Sequence, residues 1–249
     1  MHNTAKEFGF KVVDSQGRET LEVIAQAENF NRWMYEMIKP YCGGRVLEIG
    51  SGVGNISKFF IEDGFDILLT DIRNSYCDVL KQKFSAKKNL LGVANIDLVD
   101  KDFDTKFSKY FGSFDTLFSL NVIEHIKDDS LAVANCKKLL AKDGRLIILV
   151  PAYQWLYNGF DEELHHFRRY FKEQVISLFE ASNFSIKRSF YFNGLGILGW
   201  FISGKIMKNR IIPQSQLKFY NGMIPLAKVF DWVFFRLIGL SVVVVGEKK

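Results

Sequence analysis

The apolar positions of this chain follow two alternating periods. From Thr20 to Lys39, Leu21, Ile24, Ala27, Trp33, Met34, Met37 and Ile38 recur at helical spacing, and Pro40 closes the run. Short apolar runs then alternate with helix-period stretches. "RVLEIG" (45–50) precedes a helix from about Asn55 to Asp63, "DILLTD" (66–71) precedes one from about Ser75 to Phe84, and "LLGVANI" (90–96) follows. "FDTLFSL" (114–120) leads to a helix from about Asp129 to Ala141, which Asp143-Gly144 stops before "RLIILVP" (145–151). Strands alternating with helices predict parallel βαβ units with right-handed crossovers, and therefore an α/β, doubly wound sheet.

After Pro151 the rhythm changes to a loop carrying "LYNGFDEELHHFRRY", a helix around Lys172 to Ser182, the strand "FSIKRSFYF" and a last strand "LSVVVVG" from Leu240 to Gly246. About fifty residues separate those two strands, far more than a hairpin needs, and connections of that length are usually functional. The expected organisation is a helical segment over 1–40, a core over 41–192, an inserted helical cap over 193–238 and the last core strand over 239–249.

Composition narrows the class. At 249 residues, 48% hydrophobic and 24% charged, the chain is long enough for one generous α/β domain and unlike a disordered one. Cys42, Cys77 and Cys136 show no CxxC spacing and no even count, so neither a disulfide framework nor a zinc site is expected, and a reducing cytoplasm fits. The amino terminus lacks a basic segment followed by an apolar run, so no secretory leader is expected. The uncharged run Ser189–Gly204 contains four glycines and falls short of the roughly 20 residues of a spanning helix.

The net charge of +5 becomes informative once located. Residues 187–236 hold eight Lys or Arg against the single acid Asp231, leaving 25 basic and 27 acidic residues for the rest of the chain. The same segment contains Trp200, Phe201, Phe219, Tyr220, Trp232, Phe234 and Phe235. Basic plus aromatic composition suits a membrane surface or an anionic partner, and the expected location is the cytoplasm with peripheral contact to the inner face of the membrane; the competing reading is a soluble substrate lid whose aromatics form core.

The chemistry begins at "VLEIGSGVGN" (46–55), a glycine-rich turn with Glu48 just in front of it. Such turns usually offer backbone N–H groups to a phosphate, which an adjacent acid would repel. Gly50, Gly52 and Gly54 permit close approach of a ligand, but Asn55 stands where a dinucleotide-binding G-x-G-x-x-G has its third glycine, which disfavours an NAD-dependent oxidoreductase. Glu48 suits an amino group and a sulfonium instead. Asp71, 17 positions after Gly54, is placed to accept hydrogen bonds from both hydroxyls of an adenosine ribose, or to cap the next helix. Asp97 follows the third strand and is placed to meet an adenine amino group. Asn121, Glu124 and His125 lie just past the fourth strand, with Asn121 beside the ligand and the other two either lining an acceptor pocket or bonding backbone at a loop corner.

These segments resemble the class I S-adenosylmethionine-dependent methyltransferases over roughly residues 20–192 and the last strand. "LEIGSGVGN", "LLTDI", "NIDL" and "FDTLFSLNVIEHI" are similar to the family's successive donor motifs, and "LLAKDGRLIILVPA" to its fifth-strand segment, with Asp143 where glycine is common. The resemblance implies a Rossmann-like methyltransferase fold of seven strands, mostly parallel, with S-adenosyl-L-methionine as cofactor. It extends the donor site to Ser51, Asn55, Ile72, Ile96 and Leu98 alongside Glu48, Gly50, Gly52, Gly54, Asp71, Asp97 and Asn121. "NFNRWMYEMIKPY", "PAYQWLYNGFDEELHHFRRY" and "FNGLGILGWFISGKI" further resemble a bacterial group associated with polyprenyl-phosphate glycosyltransferases and surface-glycan loci.

The expected activity is methyl transfer to a small-molecule or lipid-linked glycan acceptor; the alternative is a non-catalytic S-adenosylmethionine-binding partner of a membrane glycosyltransferase. His165 and His166 are the candidate catalytic bases for an oxygen acceptor, with Arg168 and Arg169 beside them. The competing reading is a solvated loop in which an arginine bridges to Glu162 or Glu163 and Tyr170 anchors the helix that follows. That histidine pair has no third ligand nearby in sequence, so no metal is expected. The Asn/Asp-Pro-Pro-aromatic signature of amino-methylating nucleic-acid enzymes is absent, so no nucleic acid is expected as partner.

Overall fold

A computed structural model describes residues 24–211 and 213–249. Residues 20–23 of the expected leading helix, and the amino-terminal stretch read for a leader, lie outside them. The strands are β1 (Val46–Ile49), β2 (Ile67–Asp71), β3 (Leu90–Asn95), β4 (Phe114–Leu120), β5 (Leu140–Pro151), β6 (Phe184–Phe192) and β7 (Ser241–Lys248). They form one seven-stranded sheet in the order β3-β2-β1-β4-β5-β7-β6. β1 to β5 run parallel, and β7 is antiparallel to both β5 and β6.

The helices, in chain order, are α1 (Glu28–Ile38), α2 (Ser57–Glu62), α3 (Asn74–Phe84), α4 (Phe103–Lys106), α5 (Asp129–Leu139), α6 (Gly159–Glu163), α7 (Lys172–Ala181), α8 (Gly196–Trp200), α9 (Gln214–Gly222) and α10 (Ile224–Val233). Alternation along the strands divides the core between two faces. Leu47, Ile49, Leu117, Ile148 and Val244 pack with residues of α5 and α7, while Val46, Phe118, Ile147 and Val245 pack with residues of α1, α2 and α3. Burial on both faces is why β1 and β2 read as unbroken apolar runs rather than alternating ones.

The expected leading helix is interrupted at Gln26 and Ala27 and runs from Glu28, and one later boundary also differs from the pattern in the sequence. The helix expected to reach Ala141 ends at Leu139, because Leu140 turns extended and pairs with Phe114 at the rim of the sheet. The Asp143-Gly144 turn, with Asp143 at φ 59°, then shifts the register so that Arg145 pairs with Thr116. The turn therefore interrupts a strand instead of stopping a helix.

Because β7 opposes both β5 and β6, β6 ends at the same edge of the sheet as β1, β2, β4 and β5. The 193–238 insertion thus leaves and re-enters at the carboxyl edge, where ligands of doubly wound sheets bind. Its first part rests on the loop after β5. The Trp200 indole donates to the Leu156 carbonyl (3.3 Å) and packs on Phe160 (4.9 Å between rings), and Arg210 pairs with Glu162 (3.1 Å) and Glu163 (2.7 Å). Its second part, α9 and α10, rests on α1 through Asn221 to the Phe30 amide (3.1 Å), Lys228 to Glu36 (2.7 Å) and buried Ile224 and Ala227. Asp231 ties the ends together by accepting from the amides of Asn193 (2.8 Å) and Gly194 (2.7 Å).

Candidate active site

Glu48 sits in the middle of the sheet, paired in register with Leu69 of β2 and Phe118 of β4, and is 4% exposed. The Ser57 hydroxyl donates to its carboxylate, as Ser51 does, and no cation contributes to its pKa. Burial pushes that pKa up to about 7, the two serines pull it down, and the Asp71 carboxylate opposite raises it further.

The glycine loop is built by contact as much as by conformation. Gly50 (φ 74°) runs so close to the loop after β4 that a Cβ would stand 2.3 Å from Val122 Cγ2. Gly54 (φ 81°) would place one 2.6 Å from the Phe84 ring of α3. The loop amide of Gly52 donates to Asp71 (3.0 Å), the other Asp71 oxygen accepts from the Arg73 amide (2.9 Å), and Ser51 closes onto Thr70 through both backbone and side chain. Asp71 is therefore a turn-forming acid that also grips the glycine loop, and each of its oxygens keeps a further lone pair for a ligand.

Among the other residues expected at the donor site, Asn55 is half-buried beside the loop and Ile72 is 38% exposed at the sheet edge. Asp97, half-buried, accepts from the Val99 amide (2.9 Å). Ile96 and Leu98 belong to the apolar core on one face of the sheet. Asn121 is exposed in the left-handed region (φ 56°), a conformation asparagine tolerates, and its amide donates to the Leu149 carbonyl (2.9 Å).

The loop after β5 separates the two histidines. His165 is half-buried at φ 58°, whereas His166 is 6% exposed, and its Nδ1 lies 2.7 Å from Asp161. Asp161 also accepts from Arg169 Nε (2.8 Å) and from the Asn158 amide (3.0 Å), which caps α6. Arg169, 3% exposed, reaches the Ala152 carbonyl (3.1 Å) and stacks 4.5 Å over Trp200. Burial lowers the His166 pKa and Asp161 opposes that shift. His166 is thus a neutral imidazole that donates from Nδ1 and presents a lone pair on Nε2.

That lone pair faces Glu124 and His125, which share a single 3-10 turn (Ile123–His125) after β4. The His125 and His166 rings meet edge to face at 4.6 Å, and the Phe167 amide donates to the Glu124 carbonyl (2.8 Å). The ion pairs foreseen for this loop fall differently. Arg168 goes to Asp129 (2.7 Å), Arg169 goes to Asp161, and Glu162 and Glu163 are held by Arg210. Tyr170 is buried as an anchor, with its hydroxyl on Asp129 (2.8 Å). Asp161 was not singled out from the sequence; the Asn-x-x-Asp spacing of its capping box with Asn158 was the available signal.

Residues 47–146 match the family model described as a methyltransferase domain. Over those residues the chain is similar to methyltransferase domains, and its seven-stranded sheet has the Rossmann-like methyltransferase fold. In sequence it is similar to a highly reducing polyketide synthase of Pyrenophora dematioidea, 28% identical over 126 residues, which are 47% of this chain and 5% of that protein. It is also similar to a ubiquinone biosynthesis O-methyltransferase of Pelagibacter ubique, 26% identical over 163 residues, or 60% of this chain and 65% of the relative. The chain thus spans only a small part of the length of the polyketide synthases it matches. In fold it is similar to a phosphoethanolamine N-methyltransferase of Haemonchus contortus in complex with phosphomonomethylethanolamine and S-adenosylhomocysteine, with a TM-score of 0.63 at 16% identity over 96% of this chain and 60% of that one. A SAM-dependent methyltransferase of Archaeoglobus fulgidus shares the fold at a TM-score of 0.57 and 14% identity, over 88% of this chain and 94% of that one.

The buried acids make a pH prediction for the ligand-free protein. The fold holds the Glu48 proton to about pH 7, whereas the unfolded chain releases it near 4.5, so stability from the neutral carboxyl is full below the lower value and is lost as pH rises through the upper one. Glu124, held to about 8 by burial, acts in the same direction. The pKa values of His125 and His166 are lowered in the fold, which works the other way below about pH 6.5, so the urea midpoint should fall between pH 6.5 and pH 8. Glu48→Gln should flatten the lower part of that slope and be the more stable protein at pH 8, by at most about 3 kcal/mol. A wild-type midpoint that rises over this range would contradict the assignment.

Proposed function

We propose that this chain transfers a methyl group from S-adenosylmethionine to an oxygen of an amphipathic, lipid-linked acceptor at the inner face of a membrane. Glu48 holds the ammonium of the donor, the loop from Gly50 to Asn55 wraps its methionine, Asp71 accepts from the ribose hydroxyls, and Asp97 with Ile72 lies on the adenine side. The exposed amide of Asn121 borders the reacting end. Transfer is an in-line displacement: the acceptor oxygen bonds to the methyl carbon, the carbon–sulfur bond breaks with its electron pair on sulfur, and S-adenosylhomocysteine leaves. A hydroxyl acceptor gives up its proton on the side where His166, His125 and Glu124 converge. The Pelagibacter relative, named as an O-methyltransferase, supports oxygen as the acceptor atom.

The observation that carries the membrane part is the surface of the insertion. Trp232 is 77% and Phe235 81% exposed, and Ile206, Met207, Ile211, Phe219 and Leu237 are exposed elsewhere in the same segment. Monomeric soluble proteins rarely show so many large apolar side chains in one segment. Lys205, Lys208 and Lys218 are exposed in the same segment, and an open groove of about 460 Å³ between α1 and α10 has Trp232 and Phe235 on its wall and Lys228 and Arg236 on its rim. No helix among the described residues is long and apolar enough to cross a membrane, so contact would be with the surface. The insertion joins the carboxyl edge of the sheet, and its docking on the loop that carries His166 gives an acceptor drawn from that surface a short path to the methyl donor.

Two measurements follow. Asp71→Ala should weaken S-adenosylhomocysteine binding about 10- to 100-fold by calorimetry, the loss of hydrogen bonds to a charged acceptor, and an unchanged affinity in the folded variant would leave Asp71 as a turn former only. Wild type should co-sediment with anionic vesicles at low salt and be released by salt. Lys205, Lys208 and Lys218 together changed to Gln should weaken that binding by roughly 100-fold, at about 1 kcal/mol for each charge. Wild type remaining in the supernatant would make the insertion a lid over a soluble acceptor.

A further inference from the structure

Glu124 is fully buried, and neither of its carboxylate oxygens receives a hydrogen bond from the described residues. A buried carboxyl left in that state costs several kcal/mol unless something else satisfies it. His166 Nε2 stands 3.9 Å from Oε1, too far for a hydrogen bond and close to the spacing of two ligands on one ion. Donor atoms of Glu124, His125 and His166 all lie within 4.8 Å of one another. Metal–ligand bonds of about 2.0–2.2 Å hold neighbouring donors roughly 3–4 Å apart, so small rotations of these side chains complete the set.

The surroundings are those of a held ligand. Asp161 takes the Nδ1 proton of His166 at 2.7 Å and so fixes the tautomer that turns the Nε2 lone pair toward Glu124, the carboxylate–histidine pairing that supports metal-bound imidazoles. Arg169 pins Asp161 in turn at 2.8 Å. His125 is the one exposed member, which leaves a side of the cluster open to the crevice. His165, the neighbour expected to share the chemistry with His166, is not among the converging groups.

We propose that Glu124, His125 and His166 bind one divalent transition-metal ion whose open positions hold the acceptor oxygen beside the methyl donor. Two imidazoles and a carboxylate suit zinc, manganese or iron(II) better than magnesium or calcium. The ion occupies the lone pairs that burial strands on Glu124. Its role in catalysis rests on the methyl-transfer reading above. As a Lewis acid it lowers the pKa of a bound hydroxyl, whose proton passes to solvent; the resulting oxygen anion then attacks the methyl carbon, and the metal changes no oxidation state. Val122, two residues before Glu124, lies against Gly50 of the glycine loop, so the acceptor and donor sites adjoin.

The test is metal binding to the chelator-treated full chain, with zinc, cobalt(II), manganese and magnesium added separately and bound metal counted after equilibrium dialysis. Wild type should hold one zinc or cobalt ion per chain, with a visible cobalt spectrum of nitrogen and oxygen ligation, and should bind magnesium far more weakly. Glu124→Gln, His125→Asn and His166→Asn should each lower zinc affinity at least 100-fold, while S-adenosylhomocysteine affinity, which reports the fold, stays within about twofold. Asp161→Asn should lower zinc affinity 10- to 100-fold by releasing the His166 ring. Less than one ion per wild-type chain, or zinc binding that survives in Glu124→Gln and His125→Asn, would overturn the proposal. Stoichiometric zinc without S-adenosylhomocysteine binding would leave the metal site standing and overturn the methyl-transfer reading instead.

Discussion

The buried carboxylate of Glu48 constrains the rest of this site. It stands on the middle strand of a parallel sheet, 4% exposed, with two serine hydroxyls as its partners and a second acid, Asp71, opposite. Water would solvate such a charge better than this environment does, so the ligand-free protein tends to keep the proton. A positively charged ligand reverses that preference. In the turn that follows, Asp71 fixes the glycine loop by accepting from the Gly52 amide, and on the proposed reading those glycines bring backbone close to a cationic guest rather than a phosphate.

The same logic of stranded charge recurs on the acceptor side. Asp161 is paired directly with Arg169, whereas Glu124, fully buried, feels that arginine only at a distance, is bonded by no side chain among the described residues and faces a lone pair on His166. Two acids, one on β1 and the other just past the neighbouring β4, are thus both buried without a cation bonded to them among the described residues. The insertion adds the third element. It enters and leaves at the carboxyl edge, leans on the loop that carries His166, and turns an apolar, lysine-bearing surface outward.

The placement of the glycine loop and its two acids was legible in the sequence because it is local. Glu48, the glycines and Asp71 lie at the ends of apolar runs whose lengths and spacing specify a βαβ unit, and the sheet places those ends side by side. The acceptor side was not, because it depends on contacts between distant segments. Nothing in "NVIEHI" or "DEELHHF" alone shows that the partner of His166 is Glu124, some forty residues away, while the adjacent His165 stays outside the cluster. The ion pairs changed for the same reason: Arg210, in the insertion, takes the glutamates that seemed to belong to Arg168 or Arg169. The aromatic stripe was ambiguous because composition does not reveal which side of a helix faces water; Ile224 and Ala227 are buried, whereas Trp232 and Phe235 are not.

The most direct measurement of the central claim is calorimetry of S-adenosylhomocysteine binding near pH 6.5 in two buffers of different ionisation enthalpy, with NAD as the competing ligand. If the ammonium of the donor site replaces the proton of Glu48, binding should release a substantial fraction of one proton from wild type and none from Glu48→Gln, and NAD should compete poorly. Binding without proton release from wild type, or NAD displacing the adenosyl ligand, would contradict the account.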